Sequence, residues 1–259
     1  MTEKVKTEII IKEKPKLKNP VFIEGLTGIG HIGRAAVAYL VDHLGAKKFG
    51  EIYSDHFPHV AIVDDSGEIQ LLTNELYYLK GNGKRPDIIF LTGHTQSISP
   101  EGHYEVAYKI VDLLKDLKVK EIITIGGYGV GDLIEDPLVL GIPSNKKMKA
   151  KYEKLGVIFD HSVGQVVGAS GLLLAIGKRN GFEGVCLLGE TPGFLLSDPK
   201  ATEKVLNVLE RVLNIKIDYT NLDQKIKEAE KVIKKVQELQ SQILQQKKSD
   251  KGKDLGYIG

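Results

Sequence analysis

The spacing most suggestive of chemistry is Gly28-Ile29-Gly30-His31-Ile32-Gly33, a literal G-x-G-x-x-G. In a dinucleotide site the first of these glycines follows directly on a strand, and the pyrophosphate rests on the amino end of the next helix. Here the apolar run ends near Ile23, so Glu24, Gly25, Leu26 and Thr27 intervene. The acidic residue that should hold a ribose about 20 positions on is poorly placed, because Glu51 and Asp55 straddle the spot without a clear strand end. The same stretch approaches a phosphate loop. Arg34 stands where the lysine belongs, however, and Ala35 lacks the hydroxyl that binds magnesium, which excludes triphosphate hydrolysis by that route. What remains is a tight strand-to-helix turn that needs positive φ and close backbone approach. The helix amino end behind it has the generic capacity to hold an anion.

The other reactive side chains form no convergent set. His56 and His59 are three apart around Pro58, off any helix, with no third ligand at metal-site spacing. His31, His94, His103 and His161 stand beside turns or loop ends, where hydrogen-bonded structural roles predominate. Ser170 in Gly168-Ala169-Ser170-Gly171-Leu172 misses the nucleophile-elbow pattern at its last glycine and reads as the cap of the following helix. Cys186 lies inside an apolar run, as an inert buried thiol would. Being the only cysteine, it also excludes an intrachain disulfide and a multi-cysteine zinc site. Glu190, in Gly189-Glu190-Thr191-Pro192-Gly193, stands where open α/β sheets place ligands, but one carboxylate without a partner defines no reaction. No catalytic, cofactor-binding or metal-binding residue is therefore assigned, and no cofactor is expected.

These residues are positioned by short apolar runs that alternate with longer helical patterns. Strands are predicted at residues 7–11 (an edge), 21–23, 60–63, 69–72, 75–79, 88–91, 121–125 and 184–188. Asp65, Ser66 and Gly67 make a hairpin of the third and fourth of these. Glycine-rich Gly126-Gly127-Tyr128-Gly129-Val130-Gly131 follows the strand at 121–125. Helices are predicted at residues 30–44, 100–114, 170–179 and 199–213, with Pro100 opening the second and Asp198 capping the last. This alternation implies a three-layer α/β/α domain over residues 21–221, its mixed, largely parallel sheet covered on both faces, with residues 1–20 as an edge segment.

Composition narrows the classes. The chain has 259 residues, 42% of them apolar and 27% charged, which is far too apolar for disorder. No run of 18 apolar residues predicts a membrane span, and Met1 to Lys18 lacks a signal-peptide core, so a cytoplasmic location is expected. The net charge of +2 is too small for a protein that neutralises phosphates along nucleic acid. It is also unevenly placed: residues 1–20 and 222–259 each carry a balance of +3, leaving the body at −4. Few Met and Cys and no Trp, beside abundant Lys and Glu, hint at a heat-adapted source.

After Asn221 the texture changes. Leu222, Ile226, Ala229, Ile233, Val236 and Ile243 recur at alternating four- and three-residue steps, with Gln240 in the remaining seam position. This predicts an amphipathic helix over residues 222–246, roughly 37 Å long at about 1.5 Å per residue. Bundling between subunits and packing back on its own domain both explain that seam. Residues 247–259 read as a flexible tail whose apolar tip, Leu255-Gly256-Tyr257-Ile258-Gly259, suggests a docking segment.

Phe22-Ile23-Glu24-Gly25-Leu26-Thr27-Gly28-Ile29-Gly30-His31-Ile32-Gly33, Gly126-Gly127-Tyr128, Gly171-Leu172-Leu173-Leu174 and, most specifically, Gly184-Val185-Cys186-Leu187-Leu188-Gly189-Glu190-Thr191-Pro192-Gly193 followed by Asp198-Pro199 resemble the proteasome assembly chaperone family. The resemblance spans about residues 20–215 and is to archaeal members related to the eukaryotic second assembly chaperone. It implies a phosphorylase-like α/β/α fold, no established catalysis, homo-oligomeric assembly, and a C-terminal tail that enters pockets of the proteasome α-ring. The family's tail carries tyrosine at the penultimate position. Here that position is Ile258, and Tyr257 is shifted by one. The expected function is a non-enzymatic, homo-oligomeric chaperone or scaffold in proteasome assembly. Leu255, Tyr257, Ile258 and the carboxylate of Gly259 would dock on proteasome α-subunits or another assembly protein, and several weak tails would bind as one multivalent unit. The rival reading is an enzyme that binds a nucleoside or other small phosphorylated ligand at the glycine-rich loops near Gly28 and Gly127.

Overall fold

The computed structural model describes residues 7–63, 66–159 and 163–220. The chain divides into two compact units, Met1–Ile217 and Asp218–Gly259, and the fold described here is that of the first. The seam Leu222, Ile226, Ala229, Ile233, Val236 and Ile243, the tip Leu255, Tyr257, Ile258 and Gly259, and also His161 and Asp65, lie outside the described residues.

Four strands form the centre of an eight-stranded sheet: β2 (Val21–Gly25), β7 (Ile88–Gly93), β8 (Glu121–Gly129) and β10 (Glu183–Thr191). They run parallel in the order β7-β2-β8-β10. Antiparallel strands flank them: β6 (Asn74–Leu79), β3 (Lys47–Ser54) and β1 (Thr7–Ile11) beyond β7, and β9 (Val139–Pro143) beyond β10. Helices α1 (Ile32–His43) and α5 (Pro199–Leu213) pack together on one face, and α2 (Pro100–Asp116) and α4 (Ala169–Arg179) on the other. A short helix, α3 (Lys146–Glu153), packs beside β9 and β10. The expected three-layer α/β/α architecture is present.

Burial on both faces explains the continuous apolar sequences of the central strands. Alternate residues of β2 face opposite layers, and Phe22 and Leu26 join Ile89, Leu91, Val106, Ile110, Leu114, Leu173 and Ile176 in the core beneath α2 and α4. The predicted hairpin forms from β4 (Ala61–Val63) and β5 (Ile69–Leu71), but as a separate two-stranded sheet.

Several elements depart from the sequence expectation. Strand β3 was not expected because Lys47-Lys48 and Gly50 interrupt its apolar pattern. Gly50 is needed there, since a Cβ would come within 2.7 Å of the Ile10 carbonyl on β1. Strand β9 and helix α3 also escape notice: β9 holds Gly141 and ends on Pro143 at a sheet edge, and α3 buries only Met148 and Tyr152. The run Gly126 to Gly129 is strand rather than loop, because β8 continues in register with β10 as far as Gly129↔Thr191. Ser170 lies inside α4 and does not cap it; Gly168 occupies the N-cap, at φ 90. The Asp198 cap is as expected, its carboxylate accepting from the Ala201 N–H at 2.9 Å.

Candidate functional site

Ligands of open α/β sheets collect at the carboxyl ends of the parallel strands. After β2 the chain passes through Leu26 to His31 in a tight turn, with Gly30 at φ 62 and His31 at φ 49. Its glycines serve contact between backbones. A Cβ on Gly25 would stand 2.1 Å from the Gly33 carbonyl oxygen, one on Gly33 2.4 Å from that of Ile125, and one on Gly127 2.3 Å from that of Ile29. Of these only Gly33 belongs to the G-x-G-x-x-G spacing; together the three let the turn and the start of α1 pack directly against β2 and β8.

Nearby helix amino ends are also occupied from within the chain. At α5 the Asp198 carboxylate caps the helix, and the Asp198 N–H donates to the Gly30 carbonyl at 2.9 Å. At α4 the Ala169 N–H donates to Gln96 Oε1 at 2.9 Å, and the Gln96 amide donates to the Thr27 carbonyl. At α2 Ser99 Oγ accepts from the Gly102 N–H at 3.1 Å and lies 2.9 Å from His56 Nδ1. His56 Nε2 in turn lies 3.5 Å from Glu105.

Beneath α4 runs a polar row that the sequence pattern did not single out. Glu24 is in register with Thr124, and Thr124 with Cys186. The Thr124 hydroxyl donates to the Ser170 carbonyl at 2.9 Å, and the Ser170 hydroxyl to the Ile125 carbonyl at 3.1 Å. Glu24 is fully buried. Its Oε1 accepts from the Leu26 N–H at 3.1 Å, while Oε2 is among the buried polar atoms without a partner. Burial, opposed in part by that amide, pushes its carboxyl up to about 8, so it carries its proton at neutral pH. Burial likewise pushes the Cys186 thiol up to about 12, where it has no nucleophilic character. Ser170 spends its proton on a backbone carbonyl, and the acid beside it, Glu24, carries its own proton at neutral pH and so offers no base. In the sequence the row appears only as separate residues: Ser170, Cys186 and a lone acid inside Val21-Phe22-Ile23-Glu24-Gly25.

Glu190 is tied into the structure. Its carboxylate accepts from the Leu138 N–H at 3.0 Å, and its own N–H donates to the Leu138 carbonyl at 3.0 Å. Among the described residues no group of three or more His, Cys, Asp or Glu has the geometry to hold a metal. One open crevice of about 440 Å³ lies between α1 and strands β6 and β7, lined by Arg34, Asp42, Glu75, Tyr77 and His94. Arg34 and His94 approach to 3.2 Å there, and burial and the Arg34 charge hold His94 below the usual histidine range.

Fold and site define a three-layer α/β/α protein whose strand-end edge is closed by its own turn and helix ends. The chain belongs to the PAC2 family, whose model matches residues 22–237. The resemblance carried by the segments around Phe22, Gly126, Gly171 and Gly184 is therefore to its own family. Its structure is similar to that of Pyrococcus furiosus PbaB, described as an archaeal proteasome activator. The two are 39% identical with a TM-score of 0.85, over 89% of this chain and 98% of that one. Pyrococcus furiosus PbaA, described as an archaeal homolog of proteasome-assembly chaperone, is 26% identical with a TM-score of 0.73, over 97% and 99% of the two chains. The uncharacterized protein MJ1210 of Methanocaldococcus jannaschii is 37% identical over 251 residues, 96% of each chain. Among the described residues no helix is long and apolar enough to cross a membrane.

Proposed function

We propose that this chain is a non-enzymatic, cytoplasmic chaperone or scaffold of the proteasome system that works as a homo-oligomer. In this reading Leu255, Tyr257, Ile258 and the terminal carboxylate of Gly259 engage proteasome α-subunits or another assembly protein. In the same reading residues 222–246 are the amphipathic helix expected from the sequence, with Leu222, Ile226, Ala229, Ile233, Val236 and Ile243 as its packing seam, and residues 247–259 are the docking tail. The observation that carries the reading is the 39% identity to an archaeal proteasome activator over nearly the whole chain. The closed strand-end edge supports it, because the place where this fold class gathers substrates is filled by Gly33, Ile29 and Asp198. Deleting residues 255–259 should leave the fold intact and abolish capture of proteasome α-subunits in a pull-down. Unchanged capture by the truncated chain refutes the tail assignment. One observation favours a second reading, binding of a small phosphorylated ligand: the Arg34–His94 pair at the crevice beside α1. A saturable thermal shift with phosphate or a nucleoside that Arg34→Ala removes would favour it.

A further inference from the structure

The crevice between α1 and strands β6 and β7 holds a cation without a counter-ion. Its volume of about 440 Å³ falls within the roughly 300–1,000 Å³ of small-molecule sites. Arg34 stands half-buried at one end of it. Among the described residues its guanidinium has one hydrogen-bond partner, His94, and forms no ion pair. A guanidinium carries five N–H donors and accepts none, so most of its donors are open to a ligand. The same property fixes the histidine. Because Arg34 only donates, His94 Nε2 accepts across the 3.2 Å contact, and the ring is neutral with its proton on Nδ1. Burial and the Arg34 charge act in the same direction on His94, and Glu75 opposes them. Glu75 is itself kept ionised by Lys48 Nζ at 2.6 Å and the Tyr77 hydroxyl at 2.9 Å, one on each carboxylate oxygen. The other acid of the crevice, Asp42, lies eight positions further along α1, about 12 Å of helix away from Arg34.

We propose that Arg34 and His94 form a proton-coupled site for the phosphoryl group of a small ligand, in which the dianion seats on the open Arg34 donors and His94 takes up one proton from solvent at Nε2. This rests on the second reading above, a small phosphorylated ligand at this crevice. The coupling follows from the contact itself. A proton on Nε2 removes the acceptor that Arg34 uses and sets two cations 3.2 Å apart. A dianion bridging the two replaces that repulsion with charge-assisted hydrogen bonds from both. Proton and anion therefore each raise the affinity for the other, and by the same factor. The crevice is also larger than a phosphoryl group. It continues past Ala38 and Val41 to Ala46 on the α1 side, with Tyr77 on the β6 side, which suits an uncharged ring or short chain as the body of the ligand.

Sulfate is the probe, because it is a dianion that exchanges no proton near neutrality, so any uptake belongs to the protein. The ring signals of His94 in the full chain, assigned by their loss in His94→Gln, are titrated with pH by NMR in saturating sulfate and in chloride of equal ionic strength. The His94 midpoint should stand at least about one pH unit higher in sulfate, equivalent to about tenfold tighter sulfate binding by the protonated form. His43, bonded to the Lys216 carbonyl, and exposed His59 should respond alike to the two salts. Arg34→Ala should abolish the sulfate response and let His94 rise toward the ordinary histidine range in chloride, since the neighbouring charge is gone. A sulfate response that survives Arg34→Ala overturns the assignment to this pair. An unchanged His94 midpoint, with the Ala38 and Ala46 amides still shifting saturably in sulfate, overturns the proton coupling and leaves the second reading standing. Sulfate that moves neither His94 nor those amides overturns both.

Discussion

The buried acid at Glu24 makes stability fall as pH rises. Its carboxyl is ordinary, near 4.5, in the unfolded chain and about 8 in the fold, because burial disfavours the anion. Between those values the native state holds a proton that the unfolded state releases, so the Glu24 contribution is fully present below pH 4.5 and lost as pH climbs through 8. At about 1.36 kcal/mol per pH unit the loss across this window approaches ~5 kcal/mol, and at pH 7 it has already reached ~3 kcal/mol. Glu24→Gln keeps the shape and the oxygen that accepts from the Leu26 N–H but cannot ionise. Whatever fixed offset the amide brings, the difference in stability between variant and parent should move in favour of the variant by several kcal/mol from pH 5 to pH 9. Guanidinium unfolding of both proteins at pH 5, 7 and 9 measures this, and the pH slope of the difference is the readout. A difference that stays flat across that range would mean Glu24 titrates alike in the folded and unfolded chains, and would refute the burial argument.

Four other substitutions, at three positions, test the closed edge. Gly33→Ala drives a Cβ to 2.4 Å from the Ile125 carbonyl, a backbone atom with little room to yield, and should cost about 3 kcal/mol or more. Gly28→Ala, in the same motif but with nothing within 4 Å and φ at −165, should be nearly neutral, so equal unfolding midpoints for the two would contradict the packing account. Asp198→Ala removes the N-cap of α5 and should cost ~1 kcal/mol in guanidinium unfolding. Asp198→Asn should recover most of that loss.

The central layers were legible because β2, β7, β8, β10 and the helices between them each bury a face, and burial writes its period into the sequence. Thr7–Ile11 and Pro199–Leu213 fall at their expected bounds, the second set by Asp198 and Pro199. The peripheral strands were obscure for the opposite reason: Gly50 of β3 makes room for the Ile10 backbone and Gly141 of β9 for the side chains of Val157 and Phe159, neighbours that no one-dimensional pattern reveals. Glu24 illustrates the same limit for the site. A lone glutamate in an apolar run reads as a spacer until the neighbouring strands bring Thr124 and Cys186 alongside and the α4 layer covers them.

What converts a common ligand-binding architecture into a closed one is the length of two strands. Strand β2 stops at Gly25 and pairs with β8 only as far as Glu24↔Thr124. Strands β8 and β10 continue together to Gly129↔Thr191. The overhang draws Gly126, Gly127 and Glu190, residues that would otherwise form strand-end loops, into the hydrogen-bonded sheet. The turn after β2 then folds across the overhang, with Ile29 seated over Gly127. A ligand at this edge would meet Ile29 packed over Gly127 and the capped amino end of α5 rather than free backbone N–H groups. Exposed apolar side chains lie elsewhere among the described residues, at the β4–β5 hairpin. An α/β/α domain built this way is suited to holding interaction surfaces in fixed positions.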